Sequence, residues 1–285
     1  MINGLQIENG LYGQRAVATG EWSEQMSGYL RDHGIVDLEL NSGKGWRGSD
    51  LSFLANLPHL KSFKIIDFRI SSVEPIHNLQ ELRTLEVTTY CQTEIRFLAF
   101  PQLEECALEW RPGATSIFEC KQLKKLFVNR YDGEDVVPFL KLINLESLAI
   151  LNAPVGNLRG LSALTRLRVL RLANLKRLKS LAGIEGLTEL EELEIHTCRS
   201  IGSVEEIGFL SQLRRLYLNN DGCIDSLKPL GRLRHLESVL FYESTNILDG
   251  DLSPLLLQGG LSRVSFQNRR HYSHKREDFG VAYTR

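Results

Sequence analysis

The chain has 285 residues, with 34 Lys and Arg against 35 Asp and Glu, so its formal net charge at pH 7 is −1. This balance argues against a global electrostatic attraction to nucleic acid or to an anionic membrane. The five cysteines form an odd set without a CxxC pair, which argues against a disulfide framework and a zinc site. No stretch approaches the roughly 18 consecutive apolar residues that span a bilayer.

The N-terminal segment, residues 1–34, predicts a cap made of a hairpin and an amphipathic helix. Strand-like stretches lie at Leu5–Glu8 and Ala16–Thr19, with the turn signal Asn9-Gly10 between them. A helix follows, and its apolar face contains Trp22, Met26 and Leu30. The segment has neither the basic start nor the apolar core of a secretory signal, which predicts a cytoplasmic location.

From residue 35 on, one apolar phrase occurs eleven times. It consists of an apolar residue, two free positions, a second apolar residue, one free position and a third. Successive phrases begin 20 to 25 residues apart, a narrow range typical of repeat arrays. The phrases are Ile35/Leu38/Leu40, Leu60/Phe63/Ile65, Leu82/Leu85/Val87, Leu103/Cys106/Leu108, Leu123/Leu126/Val128, Leu145/Leu148/Ile150, Leu167/Leu170/Leu172, Leu190/Leu193/Ile195, Leu213/Leu216/Leu218, Leu236/Val239/Phe241 and Leu261/Val264/Phe266.

The spacing within and between the phrases indicates the fold. The second and third apolar residues lie two positions apart, which is the period of a β-strand, so the residues between them face the opposite side of a sheet. Between phrases, apolar residues recur about every three positions, as short helical turns require. We predict an α/β solenoid, or horseshoe, with a parallel concave β-sheet and convex helical or 3-10 turns. About eleven repeats occupy residues 35–267, and residues 268–285 form a C-terminal cap or tail.

The phrase and its period resemble the leucine-rich repeat superfamily and are most similar to its bacterial internalin-like class, with about 22 residues per repeat. Phrases such as LELNSGKGW and SFQNRRHYSHKRE also resemble cytosolic bacterial leucine-rich repeat proteins without assigned activity. The resemblance implies protein binding, often on the concave face. That class commonly has Asn or Cys three residues after the last strand apolar residue, where its side chain bonds turn backbone groups. Only Cys198 matches well here, so this ladder is expected to be lost.

Open positions on the predicted concave face form columns in which apolar and aromatic residues interrupt a polar surface. Aromatic residues and Arg at a desolvated centre usually carry most of the binding energy of an interface. Isolated exposed aromatics are also common, so this simpler interpretation stays open. The predicted partner-binding residues are Phe127, Asn129, Tyr131, Leu151, Arg171, Glu194, His196, Arg215, Tyr217, Asn219 and Tyr242.

The charges on this face are unevenly distributed along the chain. Such polarity would orient a partner and steer its approach, but it fits a solvated surface equally well. Acidic residues lie mainly in its first half, at Asp37, Glu39, Glu86, Glu105 and Glu109. Basic residues lie in its second half, at Arg171, Arg215 and Arg263.

One dense basic segment lies near the C-terminal end. Six cationic or imidazole side chains fall within residues 269–276, namely Arg269, Arg270, His271, His274, Lys275 and Arg276. Such a segment could contact phosphate or a nucleic-acid backbone. A solvated terminal cap is the preferred interpretation, so nucleic acid is a disfavoured partner.

No Walker loop, GxSxG, HExxH or dinucleotide fingerprint occurs, so we predict no catalytic activity, no cofactor and no metal. The leading hypothesis is a non-catalytic scaffold, monomeric when unbound, that binds a folded protein on its concave face. Its sharpest form, implied only by analogy with leucine-rich repeat proteins of bacterial toxin loci, is an immunity protein that neutralises a bacterial toxin. A regulatory or scaffolding subunit of a cytosolic complex, and a nucleic-acid binder acting through the tail, are the alternatives.

Overall fold

The computed structural model describes residues 3–279. It divides the chain into two compact units, Met1–Val128 and Asn129–Arg285. Both units consist of parallel strands joined mainly by short 3-10 turns, so the architecture predicted from the apolar phrase is confirmed. The α-helices within the described residues are α1 (Glu24–Asp32) and α2 (Ser253–Leu256).

The first unit begins with an antiparallel hairpin, β1 (Leu5–Gly10) and β2 (Gly13–Ala18), which precedes α1. Asn9-Gly10 is not the turn, because both residues still pair across the hairpin. The chain reverses between Gly10 and Gly13, where Gly13 has a φ of +108° that favours glycine. Strand β2 then pairs in parallel with the first repeat strand.

The repeat strands of the first unit follow in chain order. They are β3 (Asp37–Asn41), β4 (Ser62–Ile66), β5 (Thr84–Thr88), β6 (Glu105–Glu109) and β7 (Lys125–Asn129). Each of β3 to β6 pairs in parallel with its neighbour, and β7 reaches the boundary between the units. The 3-10 turns cover Ser42–Lys44, Ser52–Asn56, Glu74–Asn78, Phe97–Ala99 and Pro112–Glu119.

The second unit continues the same pattern. Its main parallel sheet comprises β8 (Ser147–Leu151), β9 (Val169–Ala173), β10 (Glu192–His196), β11 (Arg215–Asn219), β13 (Ser238–Tyr242) and β15 (Arg263–Phe266). Two short strands, β12 (Cys223–Ile224) and β14 (Asn246–Ile247), form a small second sheet. The 3-10 turns cover Val137–Lys141, Arg159–Leu161, Glu205–Phe209, Lys228–Arg232 and Arg276–Phe279.

The phrase residues form the core because the strand register stacks them. Leu170, Leu193 and Leu216 occupy matching positions on three adjacent strands and are fully buried. Burial of each such side chain contributes about 1.5–3 kcal/mol before conformational entropy is subtracted. Residues between the phrase positions point to the other side of the sheet, which we call the open sheet face.

Six strands of the main sheet, β7 to β11 and β13, end in a uniform way that the expected loss of the side-chain ladder did not predict. Six non-glycine residues have φ between 54° and 59°, each two positions after the last strand apolar residue: Arg130, Asn152, Asn174, Thr197, Asn220 and Glu243. The amide N–H of Asn152 donates to Ala173 O at 2.9 Å, and that of Asn174 donates to His196 O at 2.8 Å. Backbone bonds thus connect successive turns, and Asn, which tolerates this conformation, occupies three of the six positions.

A buried acid lies one residue beyond these positions. Asp221 is fully buried, and its Oδ1 accepts a hydrogen bond of 2.8 Å from the Cys198 amide. Thr245 Oγ1 accepts from the Asp221 amide at 3.0 Å and donates to Leu218 O at 3.1 Å. Burial raises the pKa of Asp221 to about 7. The Asp221 carboxylate and the Thr245 hydroxyl therefore together join three successive turns, at the cost of burying an acid.

This arrangement predicts a pH dependence of stability. An unfolded aspartate has a pKa of about 4, so between pH 4 and about 7 the unfolded chain loses a proton that the folded chain keeps. The contribution of Asp221 to the free energy of unfolding should therefore fall as pH rises through this window and then level off. We expect the wild type to lose about 2–4 kcal/mol relative to Asp221→Asn across it.

Urea denaturation of both proteins at a series of pH values measures this difference. Glu189→Gln, which removes the same charge from an exposed position, is the control and should show no comparable change with pH. A constant difference between wild type and Asp221→Asn from pH 4 to 7 would contradict the assignment.

Candidate functional site

The open sheet face of the second unit presents its side chains in aligned columns. Arg171, Glu194 and Tyr217 occupy matching positions on β9, β10 and β11, and His196, Asn219 and Tyr242 do so on β10, β11 and β13. A further column on this face contains Val169, Glu192, Arg215 and Ser238. The register thus brings most of the predicted partner-binding residues of this unit onto one surface.

These residues differ in their exposure. Arg171 is exposed, whereas seven others are half-buried: Leu151, Glu194, His196, Arg215, Tyr217, Asn219 and Tyr242. Asn129, at the end of β7, is also half-buried, and its Oδ1 accepts a hydrogen bond of 2.6 Å from Asn152 Nδ2. Phe127 belongs to the first unit and is 40% exposed.

Tyr131 does not belong to this surface. It is 4% exposed, and its ring meets Phe139 edge to face at 5.2 Å between centroids. Burial, with the nearby charges of Asp135 and Asp132, raises the pKa of its hydroxyl to about 12. Its position, three residues after the last strand apolar residue, places the side chain in the core of the turn, so its prediction as a contact residue was wrong.

Five side chains on the open sheet face form an ion cluster, which we define as Arg171, Glu192, Glu194, His196 and Arg215. Glu192 lies at its centre, with its two oxygens 2.7 Å from Arg171 Nη2 and 2.7 Å from Arg215 Nε. Arg171 Nε also lies 3.0 Å from Glu194 Oε1, and His196 Nε2 lies 3.4 Å from Glu194 Oε2. The cluster spans three strands and holds its charged groups in fixed directions.

The pKa shifts in the cluster follow from this geometry. Burial opposes ionisation of Glu192, yet the hydrogen bond from Arg215 and the charge of Arg171 hold its pKa below its usual value. Burial likewise opposes the charge of Arg171, but Glu194 and Glu192 raise its pKa above the ordinary value. At Glu192 and Arg171 the ion pairs therefore outweigh desolvation and favour the charged form of each group.

Glu192 is not among the predicted partner-binding residues, although it is the residue that joins the two arginines. Its position just before the phrase residue Leu193 places it on the open sheet face at strand period, so this much could be read from the sequence. Its role depends on which residues the neighbouring strands place beside it, which is set by register.

The acidic half of the predicted charge polarity is neutralised within the first unit. Asp37 Oδ1 lies 3.0 Å from Arg15 Nε, and Glu39 Oε2 lies 3.1 Å from Lys44 Nζ. Two further pairs join Lys64 to Glu86 at 3.0 Å and Lys125 to Glu105 at 2.7 Å. Glu109 is buried. These carboxylates therefore do not form an open acidic surface that could steer a partner.

The basic tail does not form one free patch. Arg269 Nη2 donates to Glu243 O at 3.1 Å and to Thr245 O at 3.2 Å, while His271 Nε2 lies 2.9 Å from Ile247 O. Farther along, Arg276 Nη2 lies 3.4 Å from Glu277 Oε1, and the His274 ring lies 6.1 Å from that of Phe279. Arg270 and Lys275 are exposed, and residues 280–285 of the predicted tail lie outside the described residues.

The first unit contains an open cavity of about 430 Å³, which no sequence pattern predicts. Its lining includes stacked rings of Trp22 and Phe53, 4.0 Å apart, with Arg47 and the carboxylates of Glu21, Glu24 and Asp50. None of the predicted partner-binding residues lines this cavity. Within residues 3–279, no three His, Cys, Asp or Glu side chains converge as a metal site requires. The helices of residues 3–279 lack the length and the hydropathy of a membrane span.

Known structures identify the fold. The chain is similar to the leucine-rich repeat domain of the type III effector XopL, with 19% identity, a TM-score of 0.53, and coverage of 87% of this chain and 82% of that one. It is also similar to a TDR receptor, with 17% identity, a TM-score of 0.64, and coverage of 86% and 45%. An internalin, InlF of Listeria monocytogenes, is 21% identical over 90% of this chain and 87% of its own, with a TM-score of 0.49.

No family model and no curated protein matches the chain. At these identities the structural likeness shows the fold, and the leucine-rich repeat fold predicted from the apolar phrase is confirmed. What the open sheet face binds is a separate question.

The ion cluster predicts a specific loss of stability. Glu192→Gln should lower the free energy of unfolding by about 1–2 kcal/mol, because it leaves Arg171 and Arg215 without their shared anion in a half-buried setting. The matched control is Glu237→Gln, whose pair with Arg214 is exposed on both sides. Its cost should be about 0.5 kcal/mol or less. Urea denaturation at low salt compares the two, and equal losses would contradict a special role for Glu192.

Proposed function

We propose that the protein is a non-catalytic binding scaffold that recognises a folded protein partner through the open sheet face of its second unit. The observation that carries the proposal is that half-buried Tyr217 and Tyr242 stand on adjacent strands, each in a column that also contains residues of the ion cluster. Interface centres are enriched in aromatic side chains and Arg, and Tyr and Arg are among the residues that most often carry the binding energy. Neither a cofactor nor a metal is part of this proposal.

The energetics of the face favour tight association. Tyr217, Tyr242 and Leu151 stand on strands held by parallel ladders, so binding would order few additional degrees of freedom. The two tyrosines offer apolar ring surface together with a hydroxyl that can donate or accept a hydrogen bond. The partner would bury these rings and align its own charges with the cluster, which gives specificity for orientation.

The sharper form of this proposal is an immunity protein whose partner is a bacterial toxin. A broad, preformed face can cover the active site or substrate channel of another protein without any chemistry of its own. A regulatory or scaffolding subunit would use the same face, so the partner's identity separates the two. A captured protein that is toxic when expressed alone, and harmless when co-expressed with this chain, would establish the inhibitor role.

Binding should depend on the two tyrosines. In a pull-down from native cytosol, Tyr217→Ala/Tyr242→Ala should retain the captured protein at least about thirtyfold more weakly than the wild type, because each ring is expected to anchor the interface. Phe127→Ala, as a separate variant, asks whether the first unit contributes. Circular dichroism verifies that each variant is folded.

The control variant is Phe209→Ala/Leu257→Ala, which removes two exposed apolar side chains from the turns of the same unit. It should capture the partner as well as the wild type does. If this variant alone loses the partner, the turn side binds and the proposal fails. If Arg270→Ala/Lys275→Ala abolishes capture of nucleic acid that the wild type retains in a salt-dependent way, the nucleic-acid alternative replaces it.

A further inference from the structure

A buried guanidinium in the first unit has an unusual set of partners. Arg111 is 1% exposed, and its Nη1 donates to Cys91 O at 2.8 Å and lies 3.3 Å from Cys91 Sγ. Its Nη2 donates to Thr89 Oγ1 at 3.1 Å and to Thr89 O at 3.4 Å. Among residues 3–279, no ion pair involves Arg111. A permanent positive charge is therefore buried among neutral oxygens and one thiol.

A buried charge without a counter-ion is costly, and an adjacent group that can become anionic offsets that cost. Of the two residues that accept hydrogen bonds from Arg111 within residues 3–279, Thr89 and Cys91, Cys91 is the one with an ionisable side chain. Its sulfur also lies 3.3 Å from Thr89 Oγ1, whose hydroxyl can donate to a thiolate. The geometry thus surrounds one sulfur with a cation and a hydroxyl, both of which favour its deprotonated form.

The other cysteines provide a comparison within the same chain. Cys106, Cys120 and Cys198 are buried, and burial raises the pKa of each thiol above its ordinary value. Cys223 is exposed. Burial opposes ionisation of Cys91 too, yet the hydrogen bond with Thr89 and the charge of Arg111 lower its pKa. Cys91 is half-buried, so it is more exposed than these three buried cysteines and less exposed than Cys223.

We propose that Cys91 is a reactive thiolate stabilised by Arg111, and that it is the position at which hydrogen peroxide modifies this protein. In this step the thiolate sulfur attacks one peroxide oxygen, an S–O bond forms and the O–O bond breaks. The sulfur is oxidised by two electrons to a sulfenic acid and the peroxide is reduced. The departing hydroxide takes a proton from solvent and leaves as water.

The first test compares the five thiols of the intact protein. Folded protein is treated briefly with iodoacetamide at pH 7, and alkylation at each cysteine is followed by peptide mass spectrometry. Cys91 should react at least about fivefold faster than Cys223 despite its lower exposure, with a pH–rate midpoint at lower pH. Denatured protein should lose this ranking. If Cys223 reacts as fast as Cys91 or faster in the folded protein, the proposal is wrong.

The second test removes the guanidinium. Arg111→Met should slow alkylation of Cys91 by roughly threefold to tenfold and raise its pH–rate midpoint, because a less acidic thiol is less often ionised at pH 7. The thiolate of the variant is a better nucleophile, but this gain is smaller than the loss of thiolate. Arg47→Met, which removes an exposed charge from the same unit, is the control and should leave the rate unchanged. If Arg111→Met does not fold, Thr89→Val supplies the same comparison with the hydroxyl removed.

Peroxide sensitivity is measured directly with dimedone, which traps sulfenic acids. Wild-type protein treated with hydrogen peroxide should carry the dimedone adduct at Cys91, and Cys91→Ser should carry none at that position and no new adduct elsewhere. Labelling that is equal at Cys91 and Cys223, or confined to Cys223, would overturn the assignment.

Discussion

The stacking of apolar side chains in parallel register is the constraint on which the structure depends. Each strand contributes two core residues at a spacing of two, and the neighbouring strand supplies the matching pair at the same height, as Leu193 and Ile195 do beside Leu216 and Leu218. A slip of one residue would turn every one of these side chains toward solvent. Hydrophobic burial therefore fixes the register, and the register in turn determines which polar side chains lie beside one another on the open sheet face.

The open sheet face inherits its order from that core. Glu192 can join Arg171 and Arg215 because adjacent parallel strands hold their side chains side by side at a constant height. These ion pairs neutralise charges on the open sheet face that would otherwise attract a partner from a distance. What remains for recognition is short-range: ring surface, hydrogen-bonding groups and ordered charges that reward one orientation of a partner.

The sequence was sufficient to predict the strands, their parallel pairing and the columns on the open face, because these follow from the period of residues such as Leu170 and Leu193. It was not sufficient for residues in the turns. Tyr131 lies only three positions past its strand's last apolar residue, and whether such a side chain faces solvent or core depends on the turn conformation. The hydrogen-bond partners of Arg269 and Arg111 lie some 20 residues away along the chain, so no local sequence pattern predicts them.

The uniform strand endings of the second unit make its length adjustable in discrete steps. Asn174 and Thr197 share one backbone conformation, and the amide of each donates to the last strand residue of the following repeat. If Ala173 were joined directly to Thr197, the amide of Thr197 would take the place of the Asn174 amide as the hydrogen-bond donor. Recombination between such equivalent points adds or removes one strand, about 4.8 Å of sheet width, without a new turn. The area offered to a partner is thus a quantity that evolution can change one repeat at a time.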